Sequence, residues 1–435
     1  MRKIITTLAT VILALAVFPL AAAAQTLAIT NARIVTVSGP VIPRGTIVVR
    51  DGKIAAVGAG VSVPGGARVI DARGGTVYPG LIEPLSTLGL VEVPTIAGSV
   101  DTAELGTYNP TIDAAVAVNP HSELIPTVRV NGITTVLAVS RNGFIAGQGA
   151  VVNLDGWTPQ QMTLQAGAAL YCNLPHWSRI GGGGGFGGGG GGGGGAGQLA
   201  RQERERRAQQ QLADLKDFIA RARAYAEAKD RAAAAKAPFT VERHWEAMIP
   251  FVRGQRPWII PADTADQIKD AIAFAKEQNL KVILAGAVEA WKAAKELAEA
   301  GVPVLINPQT PPRGQDDPYD TSYANAAELA KAGVKFAFTT NSASDARNLP
   351  FHASLAVAYG LPSEQAVRAM TLGAAEILGV ADRVGSVEVG KVANLVVADG
   401  DILDVRTAVR QVIIAGQAVP MRSRHSDLYD KFRVR

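Results

Sequence analysis

Three carboxylates, Glu83, Asp263 and Asp345, and one histidine, His352, have side chains suited to general acid–base work or to holding a hard cation. Nothing in their spacing pairs them. Glu83 and Asp345 read equally well as hydrogen-bonded loop residues, and His352 as a helix residue. The other histidines are scattered: His121 in Asn119-Pro120-His121-Ser122, His176 beside a glycine run, His244 beside Trp245, and His425 near the end. His121 reads as capping or packing the helix that follows it. Cys172 is the only cysteine, which excludes an internal disulfide and every multi-cysteine metal site. No nucleophile signature surrounds it, so a structural thiol is the better reading.

The chain that must position these groups has 435 residues, 48% hydrophobic and 19% charged. It is too long for one ordinary domain and too apolar for a disordered polymer. Its formal charge of +5 is uneven. Residues 198–237 hold ten Lys/Arg against six Asp/Glu, and Arg2 and Lys3 lie in an N-terminal leader. The main body is therefore near neutral and offers no basic face for nucleic acid.

The leader has a basic start, an apolar stretch from Ile4 to Phe18 and the small residues Ala21-Ala22-Ala23-Ala24. That order predicts a signal peptide over 1–24, cleaved after Ala24, and a periplasmic or extracellular protein. The alternative is a retained anchor, but the apolar stretch ends in small residues rather than a basic stop. No later run is long and apolar enough to span a bilayer once the leader is removed.

Both ends of the remaining chain are strand-like. Thr46–Arg50 and Lys53–Val57 flank Asp51-Gly52, a hairpin signal. Asn394–Ala398 and Val412–Gly416 mirror them at the far end. The middle alternates apolar strands (Thr134–Val139, Lys281–Ala285, Val302–Ile306, Val334–Phe338) with helical segments at Thr264–Gln278, Glu289–Ala300 and Tyr323–Ala332. This predicts an α/β fold: a (β/α)8 barrel over 79–384, with a composite β-sandwich from 25–78 and 385–420 and a tail at 421–435. A glycine-rich linker at 181–197, expected to be disordered, and a charged helix at 198–236 with an apolar stripe of Leu212, Leu215, Phe218 and Ile219 interrupt the barrel. The glycine run lacks a Gly-x-x-x-x-Gly-Lys-Ser/Thr arrangement and reads as a tolerated insertion, not a phosphate cradle.

Asp71-Ala72-Arg73-Gly74-Gly75-Thr76-Val77-Tyr78-Pro79-Gly80-Leu81-Ile82-Glu83 opens the middle, and Thr371-Leu372-Gly373-Ala374-Ala375-Glu376-Ile377-Leu378-Gly379 closes it. Asp382–Lys391 and Ala393–Val397 follow. In this order and at these distances the segments resemble the amidohydrolase superfamily over nearly the whole mature chain except the insertion. Asn119–Pro126 and Gly143–Gly149 are most similar to the secreted imidazolonepropionase-like and prolidase-like branch. The resemblance implies a barrel whose mouth holds a divalent metal that activates water against a C–N bond. Bound metal lowers the pKa of water from 15.7 to about 7.

The resemblance also implies ligands that are not here. A His-x-His pair after the first strand becomes Leu85 and Thr87, a middle histidine position falls on Gly286, and the closing aspartate falls on Asn341. Leucine has no lone pair to give, and an amide cannot take a proton from water. No catalytic residue is supported, with Glu83, Asp263, Asn341 and Asp345 as the remaining pocket candidates. No cofactor is expected; zinc belongs only to an alternative in which a rearranged centre still hydrolyses amide or peptide-like bonds. The leading expectation is a secreted pseudoenzyme that binds a small amide or peptide ligand or partners an intact paralogue.

Overall fold

A computed structural model of the chain describes residues 26–175, 195–314 and 316–434. The leader 1–24, His176 and residues 181–194 of the glycine run lie outside the described residues. Two eight-stranded sheets organise the rest. The first takes β1 (Leu27–Ile34), β2 (Ile42–Arg50), β3 (Lys53–Gly58), β4 (Arg68–Asp71) and β5 (Thr76–Pro79) from one end of the chain. The barrel sheet follows with β6 (Leu81–Ser86), β7 (Ile133–Ala138), β8 (Ile145–Asn153), β9 (Thr163–Cys172), β10 (Trp258–Ala262), β11 (Val282–Gly286), β12 (Val304–Ile306) and β13 (Phe336–Phe338). The first sheet is then completed by β14 (Leu395–Ala398), β15 (Val409–Ile414) and β16 (Gln417–Ala418).

The two chain ends join where β5 and β14 pair antiparallel, Thr76 opposite Ala398 and Pro79 opposite Leu395. The expected hairpin forms between β2 and β3, and Asp51 and Gly52 both take the positive φ that a tight primed turn requires. The composite β unit expected from the two chain ends forms as one continuous sheet. All eight strands belong to a single hydrogen-bonded sheet, wrapped around Ile29, Ile34, Ile47, Val77, Leu395 and Ile413. Asn394 fastens this sheet to the barrel: buried, it donates to Thr135 Oγ1 (3.1 Å) and Asn153 Oδ1 (2.8 Å) and accepts from the Ala415 amide.

In the barrel sheet, seven strands run one way and β8 runs against them, so β7–β8–β9 form a meander where regular strand–helix units would stand. Alternate residues fill the interior, among them Leu85, Leu137, Val139, Tyr171, Ile259, Ile283, Leu305 and Ala337. The other faces of the same strands pack against the helices. Thr264 and Gln267 form a capping box at the helix Ala265–Glu277, whose Ile268, Ala271, Phe274 and Ala275 are buried, as their helical spacing requires.

Two boundaries differ from expectation. The charged helix runs over Gly195–Ala234, so residues 195–197 are helical rather than linker. Its buried stripe is Leu215, Phe218, Ile219 and Ala222, with Phe218 stacked on Tyr108 at 4.7 Å. Upstream, residues 202–211 are largely exposed. The tail is ordered too: Ser423 and Ser426 form a capping box for a helix over Arg424–Phe432. No described helix is long and apolar enough to cross a membrane.

Candidate functional site

In a barrel, side chains at the C-terminal ends of the strands converge on one mouth, because all parallel strands finish on the same side. Here those ends supply Glu83 and Leu85 (β6), Arg141 just after β7, Tyr171 (β9), Asp263 just after β10, Gly286 (β11) and Thr339 to Asn341 just after β13.

Glu83 is fully buried. Its Oε2 accepts from the Thr340 amide at 2.9 Å and the Thr340 hydroxyl at 2.8 Å. Oε1 lies against the Thr339 hydroxyl and accepts from the Leu85 amide at 3.3 Å. These bonds tie the first barrel strand to the last, the one seam that no strand pairing closes. Burial nevertheless dominates its ionisation: loss of water pushes the carboxyl up to about 7, against the lowering effect of its donors. In its neutral form Oε1–H would give its proton to Thr339 Oγ1, whose own hydroxyl reaches the Leu85 carbonyl at 3.1 Å.

Asp263 and Gly286 are interlocked. Asp263 Oδ2 takes a 2.6 Å ion pair from Arg313. Its Oδ1 leans over Gly286, where any Cβ would collide with it, and Gly286 sits at φ +90°, a conformation that side chains other than hydrogen resist. Asn341 is exposed at φ +57°, and its backbone carbonyl, not its side chain, faces the mouth residue Arg141. Asp345 is exposed in the turn Asp345–Asn348, exchanging hydrogen bonds with Ser342. Thr87 closes a turn by accepting from the amides of Leu90 and Val91. Glu83 and the 339–341 segment are thus brought together, whereas Asp263 and Asp345 are engaged elsewhere.

The remaining titratable candidates do not join this group. His352 is 3% exposed in the helix Leu349–Ala358, held neutral by burial, which lowers its pKa. His121 lies edge-on to Trp157, His244 edge-on to Phe218, and His425 against Arg347. Burial pushes the Cys172 thiol far up, which removes it as a nucleophile at neutral pH.

Arg141 is the mouth residue that sequence reasoning missed. It occupies Ser140-Arg141-Asn142-Gly143, the turn between β7 and β8, where a lone arginine reads as an ordinary surface residue. Its Nη1 donates to the Asn341 carbonyl at 3.2 Å, across the end of β6. Its Nε and Nη2 are buried and find no acceptor among the described residues. Burial lowers its pKa, and the neighbouring Tyr171 and Glu83 pull the other way. Tyr171, itself raised by burial, also feels Asp263. The guanidinium therefore sits among strands β6, β9 and β13. The available signal was positional: a cationic side chain directly after a barrel strand.

A model of the amidohydrolase family matches residues 316–419, the stretch from before β13 to β16. Imidazolonepropionases are similar over shorter stretches: 35% identity over 109 residues in the protein of Shouchella clausii, covering 24% of this chain and 23% of that one, and 34% over 138 residues in that of Syntrophobacter fumaroxidans, covering 29% and 31%. The alignments thus span less than a third of the length of these curated relatives. An amidohydrolase from Thermotoga maritima superposes with a TM-score of 0.76 at 24% identity, covering 91% of this chain and 100% of that one. Residues 316–419 are thus similar to the amidohydrolase family, and the described chain shares its fold with an amidohydrolase.

Another amidohydrolase-fold neighbour, an adenosine deaminase from Xanthomonas campestris solved with bound zinc, superposes at a TM-score of 0.51 with 18% identity, over 94% of this chain and 97% of that one. The donor set of the present barrel does not suit such an ion. Among the described residues no three His, Cys, Asp or Glu side chains are grouped to hold a metal. The carboxylate within the mouth, Glu83, spends both oxygens on the β6–β13 seam, and Leu85 points into the apolar interior. A guanidinium with two free N–H groups would repel a divalent cation placed beside it.

Proposed function

We propose that this chain is an exported amidohydrolase-superfamily protein that does not run metal-assisted hydrolysis, and that its barrel instead binds a small amide or peptide-like ligand or pairs with a catalytically intact relative. One observation carries the reading: at the positions where the superfamily resemblance expects donors, the mouth has a buried leucine, a glycine at φ +90° overhung by Asp263, and an exposed asparagine. Export rests on the leader pattern of residues 1–24.

A second reading has its own support. Glu83, at a pKa of about 7, is poised for proton transfer at neutral pH, and the partial matches are to imidazolonepropionases. In that reading a rearranged centre hydrolyses C–N bonds. Assay of the purified mature protein against dipeptides and N-acyl amino acids, with and without zinc, separates the two. The ligand-binding reading expects no turnover under either condition. Zinc-stimulated turnover abolished by a chelator would establish the hydrolase.

A further inference from the structure

A groove of about 470 Å³ opens on the sheet built from the two chain ends, outside the barrel. Three arginines line it, Arg33 on β1, Arg44 on β2 and Arg73 in the turn between β4 and β5, together with Asn31 and Asp71. They meet where the sheet is irregular. β1 pairs with β4 up to Thr30 and Asp71, then with β5 from Arg33 and Thr76. Against β2 its register slips between the pairs Ala32–Gly45 and Ile34–Ile42, so Arg33 alone faces Pro43 and Arg44. Such a bulge re-aims side chains that regular alternation would separate.

The charges in the groove do not balance. Asp71 Oδ1 accepts from the Arg73 backbone amide at 2.9 Å and from the Asn31 side chain at 3.0 Å. Those bonds hold its carboxyl below the usual range, so it is charged at neutral pH. Arg44 donates to Asn31 Oδ1 at 2.9 Å rather than to a carboxylate. Arg33 and Arg73 form no ion pair among the described residues. Three cations against one carboxylate leave two positive charges uncompensated. Like charges facing each other across a strand pair are destabilising. Arg73 carries a further cost, because it holds φ +52°, in the left-handed region that favours glycine or asparagine. Gathered like charges, one of them on a backbone that resists it, describe a site completed by an anion.

We propose that this groove binds a phosphate monoester, held by the guanidinium groups of Arg33, Arg44 and Arg73. Charge and shape select the class. A phosphoryl monoester carries about two negative charges at neutral pH, which matches the excess in the groove, and guanidinium forks take its oxygens in pairs. A phosphodiester or carboxylate, with one charge, would leave the groove positive. The site stands apart from the barrel, so it does not depend on whether the barrel turns over a substrate.

The test is calorimetric titration of the full mature protein at low ionic strength, with glycerol 3-phosphate, dimethyl phosphate and phosphatidic acid vesicles as probes. Glycerol 3-phosphate is expected to bind at submillimolar concentration, and the singly charged dimethyl phosphate at least about tenfold more weakly. Arg73→Gly removes one cation and relieves the backbone, so it should keep the melting temperature within a few degrees yet weaken glycerol 3-phosphate about tenfold. Arg406→Gln, which removes an arginine paired with Asp404 outside the groove, should leave binding unchanged. Equal affinity for the two soluble phosphates, or no binding of glycerol 3-phosphate at millimolar concentration, would overturn the assignment. So would binding to vesicles alone, undiminished binding by a folded Arg73→Gly, or an equal loss in Arg406→Gln. Should Arg73→Gly fail to fold, the exposed substitution Arg44→Gln takes its place with the same expectation.

Discussion

Glu83 and Arg141 sit at the same barrel mouth and carry opposite formal charges, yet the fold treats them differently. Every oxygen of Glu83 is taken up by Thr339, Thr340 and Leu85, so its chemistry is spent on closing the β6–β13 seam. Arg141 is anchored by one nitrogen and leaves two others buried without acceptors. A polar group with all its bonds made is part of the scaffold. One held in place with bonds unmade costs it stability. By this measure Glu83 is part of the scaffold, and the group at the mouth with unmade bonds is a cation.

If Glu83 is the seam, removing it should be the most damaging change at the mouth. Glu83→Ala strands the Thr340 and Leu85 amides and opens a cavity between β6 and β13, at a cost of about 3–5 kcal/mol. Urea unfolding followed by circular dichroism measures this; a loss below about 1 kcal/mol would show that the seam is held by something else.

The ionisation of Glu83 sharpens the same point. Its folded pKa of about 7 lies above the ordinary 4.5, so the folded state binds the proton more tightly than the unfolded chain. That contribution is fully present below about pH 4.5 and is lost as pH rises through about 7, roughly 3 kcal/mol in all. Glu83→Gln mimics the neutral acid and should flatten the stability profile over this interval. An unchanged slope in the variant would show that another group sets it.

Returning a ligand residue to the superfamily position should fail for a local reason. Gly286→His must adopt φ +90° and push Asp263 aside, with an expected loss of about 1–3 kcal/mol and no gain in zinc affinity. Thermal unfolding with and without zinc reports both. The smallest effect belongs to Arg313→Ala: its ion pair with Asp263 is about one-third exposed, so the change should cost no more than about 1 kcal/mol.

Much of this fold can be read from local patterns. Asp51-Gly52 marks its hairpin, Thr264 and Gln267 mark their helix start, and the runs ending at Ala285, Ile306 and Phe338 mark successive barrel strands, because each signal acts over a few residues. The reversed strand β8 escaped notice: Gly147 and Gly149 break its apolar alternation, and nothing local distinguishes a meander from a strand–helix unit. At the site, the sequence singled out Leu85, Thr87, Gly286 and Asn341 only as positions where the resemblance implies ligands. The settings of Glu83 and Arg141 were not legible, since the hydrogen bonding of Glu83 depends on Thr339, 256 residues away, and the unmet donors of Arg141 depend on what fails to reach them. Spacing records neither.

The measurement that bears most directly on the central claim is the metal content of the purified mature protein after incubation with excess zinc and removal of unbound ions. A mouth whose carboxylate is spent and whose open group is a guanidinium should retain well under one equivalent. Retention of one zinc per chain, lost together with hydrolytic turnover on adding a chelator, would contradict it.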